Sequence, residues 1–199
     1  MSTEDIRPED ILIKVQDTPN PWALKFIVNQ VLKSEGKATF IKSEECNNLP
    51  LIYALVTLRG VKQVYIFRNT LSITYTKEIE KEDLISNVQI IIKTRINIHN
   101  PDFLDYDPFE EKKPKTKKTH QSDNPEIQKI NEILDRTVRP ALQADGGDID
   151  IIEVLENEVK ILYQGACGGC PSALTGTLQA IENILQNELN KPSLKVSPI

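Results

Sequence analysis

The chain has 199 residues, a net charge of −5 and 39% hydrophobic residues, which is enough for one medium domain or two small ones. Its longest apolar run, Leu51–Val56, has six residues, far short of the about 20 residues of a membrane-spanning helix, which excludes such a span. Its three cysteines, Cys46, Cys167 and Cys170, are odd in number and too few for a disulfide-rich secreted domain.

The charge is unevenly distributed along the chain. Residues 1–104 and 105–125 are each neutral overall, and the whole net charge of −5 belongs to residues 126–199. Because nucleic-acid-binding proteins present a basic face, this distribution argues against a nucleic-acid partner. The first ten residues are acidic and resemble neither a secretory signal nor an arginine-rich transit peptide, so we expect a cytoplasmic protein without a membrane partner.

A polar segment divides the chain. Residues 105–125 contain five lysines and five acidic residues, and no large apolar residue occurs between Phe109 and Ile127. Such a segment buries too little apolar surface to offset the entropy lost on ordering. We therefore predict a flexible linker at 105–125 between a domain of residues 1–104 and a domain of residues 126–199.

The pattern of the first domain predicts an α+β fold. Alternating or continuous apolar residues predict strands, and stripes of period 3.6 predict helices. A turn is expected at Thr18–Pro21, where two prolines and an asparagine interrupt both patterns. The predicted strands cover 11–15, 24–28, 61–67 and 71–75, the last two as a hairpin, and the predicted helices cover 49–58 and 81–98.

The second domain is predicted to have the order α-β-β-α-β, a two-layer arrangement of helices on a small sheet. Its first helix carries the apolar stripe Ile127, Ile130, Leu134, Val138 and Ala141, and Pro140 should bend or end it. Strands are predicted at 149–155 and 159–163. A second stripe, Leu174, Leu178, Ile181, Leu185 and Leu189, predicts the next helix, and 194–196 is a candidate last strand.

Two of the cysteines form a Cys-x-x-Cys loop between a predicted strand and a predicted helix. Gly168 and Gly169 lie between Cys167 and Cys170 and allow the loop to approach a bound ion closely. The partial positive charge at the start of a helix lowers thiol pKa values, and Pro171 suits the first helical position. These features favour two exposed thiolates at Cys167 and Cys170, as metal ligands, over two packed thiols.

The ligand count suggests that this loop is half of a site. A zinc site or a cubane iron–sulfur cluster needs four ligands, whereas the loop supplies two. Cys46 lies in the other domain and is interpreted as a small apolar residue. Neither His99 nor His120 is near the loop in sequence. Two chains that each contribute one loop would complete a 4Fe–4S cluster on a two-fold axis, and a 2Fe–2S cluster needs the same four thiolates.

Other functions of the loop stay open from the residues alone. Zinc binding is one, and thiol–disulfide exchange by a dithiol oxidoreductase is another. The usual redox loop follows a strand of a parallel βαβ unit, whereas this loop follows a predicted antiparallel hairpin. Asp145 and Asp148 form a further candidate carboxylate pair, but the Asp-Gly-Gly-Asp segment is more typical of a turn between a helix and a strand.

Several motifs in the second domain resemble the NifU-like C-terminal domain. They are Val138–Leu142, Asp145–Asp148 and Gly165–Ser172, in that order, and Thr175, Leu178, Ile181 and Glu182 continue the match over about residues 126–195. In the first domain, Thr18–Phe26 and Gly60–Tyr65 resemble the domain found beside it in Nfu-type proteins. Trp22 stands where that motif often has asparagine, and Leu55–Thr57 lacks the usual phenylalanine.

The resemblance implies a non-enzymatic iron–sulfur cluster scaffold or carrier. It would receive a 4Fe–4S or 2Fe–2S cluster from upstream assembly proteins and deliver it to apo iron–sulfur proteins. The ligands that carry over are Cys167 and Cys170, shared across a homodimer that the cluster bridges. The first domain would recognise targets or assembly partners, and no catalytic residue is implied.

Overall fold

The computed structural model of the chain describes residues 7–46, 48–103, 124–168 and 176–199. The chain divides into two compact units, one on each side of the peptide bond after residue 108. The predicted linker lies mostly at residues 104–123, outside the described ranges, so the predicted domain boundaries stay a prediction. No helix within the described ranges is both long and apolar enough to cross a membrane.

The first unit contains a five-stranded antiparallel sheet and two helices. The spatial order of the strands is β1-β2-β5-β4-β3. Short 3-10 turns occupy Pro8–Asp10, Ser43–Glu45 and Ile96–Ile98. The elements are β1 Ile13–Asp17, β2 Ala23–Val28, β3 Lys37–Phe40, α1 Pro50–Val56, β4 Val61–Phe67, β5 Thr70–Tyr75 and α2 Lys81–Arg95.

Alternation along the strands explains the core of this unit. In β2 and β5 every second side chain points to the core face, and Phe26 and Ile73 there are fully buried. On α2 the apolar residues Leu84, Val88 and Ile92 are buried, which confirms the predicted helical stripe. The hairpin of β4 and β5 is also confirmed. The strand β3 was not predicted, because its four residues include too few apolar positions to show alternation.

The second unit contains helices and a three-stranded sheet of order β6-β7-β8. The pairing of β6 with β7 is antiparallel, and that of β7 with β8 is parallel. Both units combine helices with sheets, which confirms the predicted α+β class. The elements are α3 Pro125–Thr137, α4 Arg139–Ala144, β6 Gly147–Val154, β7 Glu158–Gly165, α5 Leu178–Leu189 and β8 Lys195–Pro198.

The first predicted helix of this unit is two helices. Asn124 caps α3, because its side-chain oxygen accepts a hydrogen bond of 2.9 Å from the backbone N–H of Glu126. The helix ends before Val138, and α4 begins at Arg139 with Pro140 in its first turn. The stripe therefore shifts: Leu142 is buried, whereas the predicted core residue Ala141 is exposed, so that assignment was wrong.

Candidate metal centre at the cysteine loop

The described half of the cysteine loop is tied to the start of β6. After β7 ends at Gly165, the backbone N–H of Ala166 donates a 3.0 Å hydrogen bond to the carbonyl of Gly146. The N–H of Gly168 donates to the carbonyl of Gly165 at 3.0 Å and closes a tight turn around Cys167. These two bonds fix the backbone of Cys167 against the neighbouring strand.

Gly147 makes this close approach possible. A Cβ atom built on Gly147 would lie 2.3 Å from Sγ, 2.8 Å from the backbone nitrogen and 2.9 Å from Cβ of Cys167. Any larger residue would overlap the cysteine, so the loop requires glycine at this position. The sequence by itself indicates Gly147 only as part of a turn. Its place in the Gly146–Gly147 pair was the available local sign that Gly147 has a special role. Its contact with Cys167 could not be seen locally, because the two residues are twenty apart in sequence.

The packing of Cys167 differs from the sequence-based expectation. We expected an exposed thiolate, whereas the side chain of Cys167 is only 8% exposed and belongs to the core of the second unit. The physical reason is the missing side chain at Gly147, which lets Sγ sink against the backbone of β6. Cys167 is therefore a buried member of the core rather than an exposed residue of an open loop.

The other half of the loop lies outside the described residues. Cys170, Gly169 and Pro171 fall within residues 169–175, as do Leu174 and Thr175. The described helix α5 begins at Leu178. The predicted pair of ligands Cys167 and Cys170, and the predicted helix start at Pro171, therefore stay predictions.

Tyr163 is a neighbour of the site that the sequence analysis missed. Its side chain is buried in the same core cluster as Cys167. Burial, and secondarily the negative charge of a Cys167 thiolate, raise the pKa of Tyr163 to about 12. The phenol thus keeps its proton at neutral pH and adds no charge beside the cysteine.

Cys46 has the environment of a core residue in the first unit. Its side chain is 3% exposed, and its thiol lies 3.5 Å from the carbonyl oxygen of Lys42, to which it donates. Burial, helped by the neighbouring carboxylates of Glu45 and Glu44, raises the pKa of Cys46 to about 11. Because a thiolate is the form that binds iron or zinc, this thiol is a poor ligand.

The Asp145–Asp148 segment forms a turn, as interpreted from the sequence. Asp145 follows the last residue of α4, and Gly146 has a φ of +83°, a value that favours glycine. Asp148 is 2% exposed and lies in β6, where Arg139 pairs with it at 3.5 Å between Nε and Oδ1. A buried carboxylate with a guanidinium partner has a structural role rather than that of a metal ligand.

Other donor residues do not gather into a metal site within the described ranges. No group of three or more histidine, cysteine, aspartate or glutamate side chains there has a geometry that could hold a metal ion. His99 is buried in the first unit, and its Nε2 lies 2.7 Å from the carbonyl oxygen of Leu32. His120 lies outside the described residues.

Two family models match the chain. Residues 130–196 match the NifU-like domain, and residues 13–99 match the Scaffold protein Nfu/NifU N terminal family. The first range contains the cysteine loop and both of its neighbours Gly147 and Tyr163. The resemblance seen in the motifs of both domains is thereby confirmed.

Full-length relatives align along most of the chain. NifU-like protein 5, mitochondrial, of Arabidopsis thaliana is 28% identical over 183 residues, which cover 91% of this chain and 66% of that protein. The human protein named NFU1 iron-sulfur cluster scaffold homolog, mitochondrial, is 30% identical over 181 residues, which cover 88% of this chain and 67% of that protein. The chain thus spans about two thirds of the length of the curated relatives it matches.

A solved structure also aligns with part of the chain. The solution NMR structure of a NifU-like protein from Saccharomyces cerevisiae covers 54% of this chain and 92% of its own, with 18% identity and a TM-score of 0.43. The assignment depends on the two family models and on the human relative. On that evidence, the chain belongs to the NifU-like, Nfu-type family of scaffold proteins.

Proposed function

We propose that this chain is a non-enzymatic carrier of iron–sulfur clusters. Two copies hold one 4Fe–4S cluster between their cysteine loops, through Cys167 and Cys170 of each, and pass it to apo iron–sulfur proteins. The cluster is cargo rather than a resident cofactor. Membership of the scaffold family and the human relative named as an iron–sulfur cluster scaffold support the general role.

The number of cysteines in the chain is the observation that supports a site shared between two copies. A cubane cluster or a 2Fe–2S cluster needs four thiolates, and the chain has three cysteines. Cys46 is buried in the other unit with a raised pKa, which leaves Cys167 and Cys170. Since no group of three metal-binding side chains exists in the described part of one chain, a second copy is the simplest source of the other two thiolates.

The position of Cys167 suits cargo that must leave again. Its sulfur lies against the main chain of β6, and Cys167 belongs to the loop that follows β7 rather than to a strand or helix. A cluster held there, between two copies, has few protein bonds to break before transfer. The first unit would then serve to recognise apo-proteins or assembly partners, and the predicted linker would allow it to move independently.

Anaerobic reconstitution tests the proposal. The full chain, reduced and supplied with ferrous iron and sulfide, should bind about four irons per two chains and elute at the mass of a dimer. Cys167→Ser and Cys170→Ser should each abolish the cluster, whereas Cys46→Ser should retain it. A colourless monomer that reduces insulin disulfides would refute the proposal in favour of a thiol–disulfide oxidoreductase.

Transfer and localisation need separate measurements. Loaded protein mixed with an apo-form of a 4Fe–4S enzyme should restore its activity faster than free iron and sulfide do, and equal rates would contradict carriage. Cytoplasmic localisation stays a prediction, and the relatives named above carry the word mitochondrial in their names. Fractionation of the source cells with an antibody against the chain decides between the two compartments.

A further inference from the structure

One end of the first unit presents a half-exposed tryptophan. Trp22 lies in the turn between β1 and β2 and is 48% exposed. Its ring contacts that of Tyr75, the last residue of β5, edge to face, with 5.8 Å between the ring centroids. Because Tyr75 is only 6% exposed, Trp22 is the outer member of the pair. Exposed tryptophans of this kind are enriched at the centres of protein interfaces.

Hydrogen bonds hold the turn that carries Trp22. Oγ1 of Thr18 donates to the carbonyls of Asn20 and Ala23, at 2.9 and 3.0 Å. Both main-chain groups of Trp22 are bound as well. Its N–H donates to Oδ1 of Asn20 at 3.0 Å, and its carbonyl accepts from the N–H of Tyr75 at 2.9 Å. An aromatic side chain on such a turn loses little freedom when it binds a partner, which favours a role as an anchor.

Carboxylates lie beside this pair of rings. The end of β1 meets the start of α2 here, where Nζ of Lys81 pairs with Oδ1 of Asp17 at 2.5 Å. Glu80 and Glu82 flank that lysine in sequence and are exposed. Neither glutamate takes part in an ion pair within the described part of the chain. Since Lys81 is neutralised by Asp17, the charges of the two glutamates are left uncompensated.

The titration of Tyr75 shows that these charges reach the rings. Burial raises the pKa of its hydroxyl, and the charge of Lys81 opposes that rise. Three carboxylates raise the pKa further, those of Asp17, Glu82 and Glu80. All three therefore lie within electrostatic reach of the ring that the tryptophan contacts.

An exposed indole ring beside uncompensated carboxylates fits a cation. The face of a tryptophan is the negative side of its quadrupole and attracts cationic side chains, arginine most often. A guanidinium is planar and weakly hydrated, so it can stack on the ring while it pairs with a carboxylate. The same carboxylates repel anionic partners such as nucleic acids and acidic peptides. The chemistry of this surface therefore selects a basic partner.

We infer that Trp22, Glu80 and Glu82 form a docking surface for an arginine-bearing segment of a partner protein. Trp22 is the aromatic anchor, and the two glutamates pair with the cations of the partner. The asparagine that often stands at position 22 in the Nfu-type motif cannot stack in this way, so the surface distinguishes this chain from the motif it resembles. The surface rests on the contacts described above, whereas its use in delivering a cluster rests on the proposed function.

Fluorescence of the full chain tests the surface directly, because Trp22 is the only tryptophan of the chain. The probe is a peptide of four Arg-Gly repeats, compared with a peptide of four Glu-Gly repeats. Each is added to the reduced, iron-free chain at low salt. The arginine peptide should shift the emission of Trp22 and saturate, and the glutamate peptide should not. The affinity should fall as salt rises, since exposed charges are screened.

Three variants separate this surface from the effect of net charge. Glu80→Gln combined with Glu82→Gln keeps the tryptophan and should weaken binding of the arginine peptide about threefold or more. Glu132→Gln combined with Glu156→Gln is the matched control, because it removes the same charge from exposed positions of the second unit and should leave the affinity unchanged. Trp22→Asn, titrated by calorimetry, should weaken binding about tenfold, as loss of an aromatic anchor does.

Several outcomes would overturn the inference. One is a wild-type chain that does not bind the arginine peptide or binds both peptides equally, and another is a folded Trp22→Asn variant that binds like the wild type. A third is a paired Glu80→Gln and Glu82→Gln variant that binds no more weakly than the second-unit control. Emission that changes with protein concentration before any peptide is added would assign the surface to a second copy of the chain instead. If circular dichroism shows that Trp22→Asn is unfolded, the paired glutamine variant decides.

These results are separable from the proposed function. Peptide binding is measured on the iron-free chain, and none of the altered side chains belongs to the cysteine loop. A chain that binds a cluster but not the arginine peptide keeps the carrier and refutes the docking surface. A chain that binds the peptide but no cluster refutes the carrier and keeps the docking surface.

Discussion

Replacing Gly147 by alanine tests the geometry of the site most sharply. The added Cβ would lie 2.3 Å from Sγ of Cys167, whereas carbon and sulfur atoms in contact prefer separations above about 3.5 Å. The sulfur must therefore move by about 1 Å or more. The backbone nitrogen of Cys167, at 2.8 Å from the new atom, must move with it. A change of rotamer alone cannot relieve the overlap.

The expected magnitude follows from overpacking. Inserting one methyl group into a close-packed site costs about 1–3 kcal/mol. In a unit of this size each kcal/mol lowers the melting temperature by about 4–8 °C. Displacing one cysteine should also weaken retention of the cluster by about 10–100-fold, as loss of a supporting contact does at other metal sites.

The assay combines calorimetry of the iron-free chain with titration of the loaded chain by a chelator. Gly176→Ala is the matched control, since its Cβ meets nothing within 4 Å and Gly176 follows the same loop. Gly176→Ala should leave both the melting temperature of the iron-free chain and the retention of iron by the loaded chain nearly unchanged. A Gly147→Ala variant that melts and holds iron like the wild type, or a Gly176→Ala variant that is equally damaging, would refute the role of the contact between Gly147 and Cys167.

Three further predictions concern titrating groups. Burial lowers the pKa of His99, and its Nδ1 has no hydrogen-bond partner among the described residues, so the stability of the first unit should fall as pH drops below about 6.5. Urea unfolding should show that decline, and an equal decline in His99→Phe would contradict it. The N–H of Val196 lowers the pKa of Glu182, so its contribution to stability is present above about pH 4.3 and lost as pH falls through the lowered pKa. Unfolding of Glu182→Gln should be less sensitive to acid than that of the wild type, and equal sensitivity would refute the assignment. With a pKa of about 11, Cys46 has only about one thiolate in a thousand at pH 8, so iodoacetamide should label it slowly until urea is added. Peptide mapping that finds rapid labelling of native Cys46 would place its thiol outside the core.

Local patterns predicted those strands and helices in which several apolar residues recur at the spacing of a strand or of a helix. The hairpin of β4 and β5 and the stripe of α2 are examples, because their periodicity is evident within about fifteen residues. The strand β3 has only four residues and depends on β4 for its pairing, so nothing local indicated it. Ala141 was misplaced because the break before Arg139 rotates the face of the next helix.

The sequence indicated a chemistry for the candidate site but not its packing. Spacing predicts Cys167 and Cys170 as a ligand pair, and the place of Cys46 in the other domain, without a partner at ligand spacing, separates it from them. The contact of Gly147 with Cys167, and the burial of Cys167 that follows, depend on the pairing of β6 with β7 and are absent from any short stretch of sequence. The bond from Nε of Arg139 to the carbonyl of Ile149 and the bond from the N–H of Val196 to Glu182 also join separate elements.

Native mass spectrometry of the reconstituted full chain tests the shared cluster most directly. A carrier that bridges its cluster between two cysteine loops should appear as a species of two chains plus one 4Fe–4S cluster, and no single chain should carry a complete cluster. A single chain that carries a complete cluster would contradict the account.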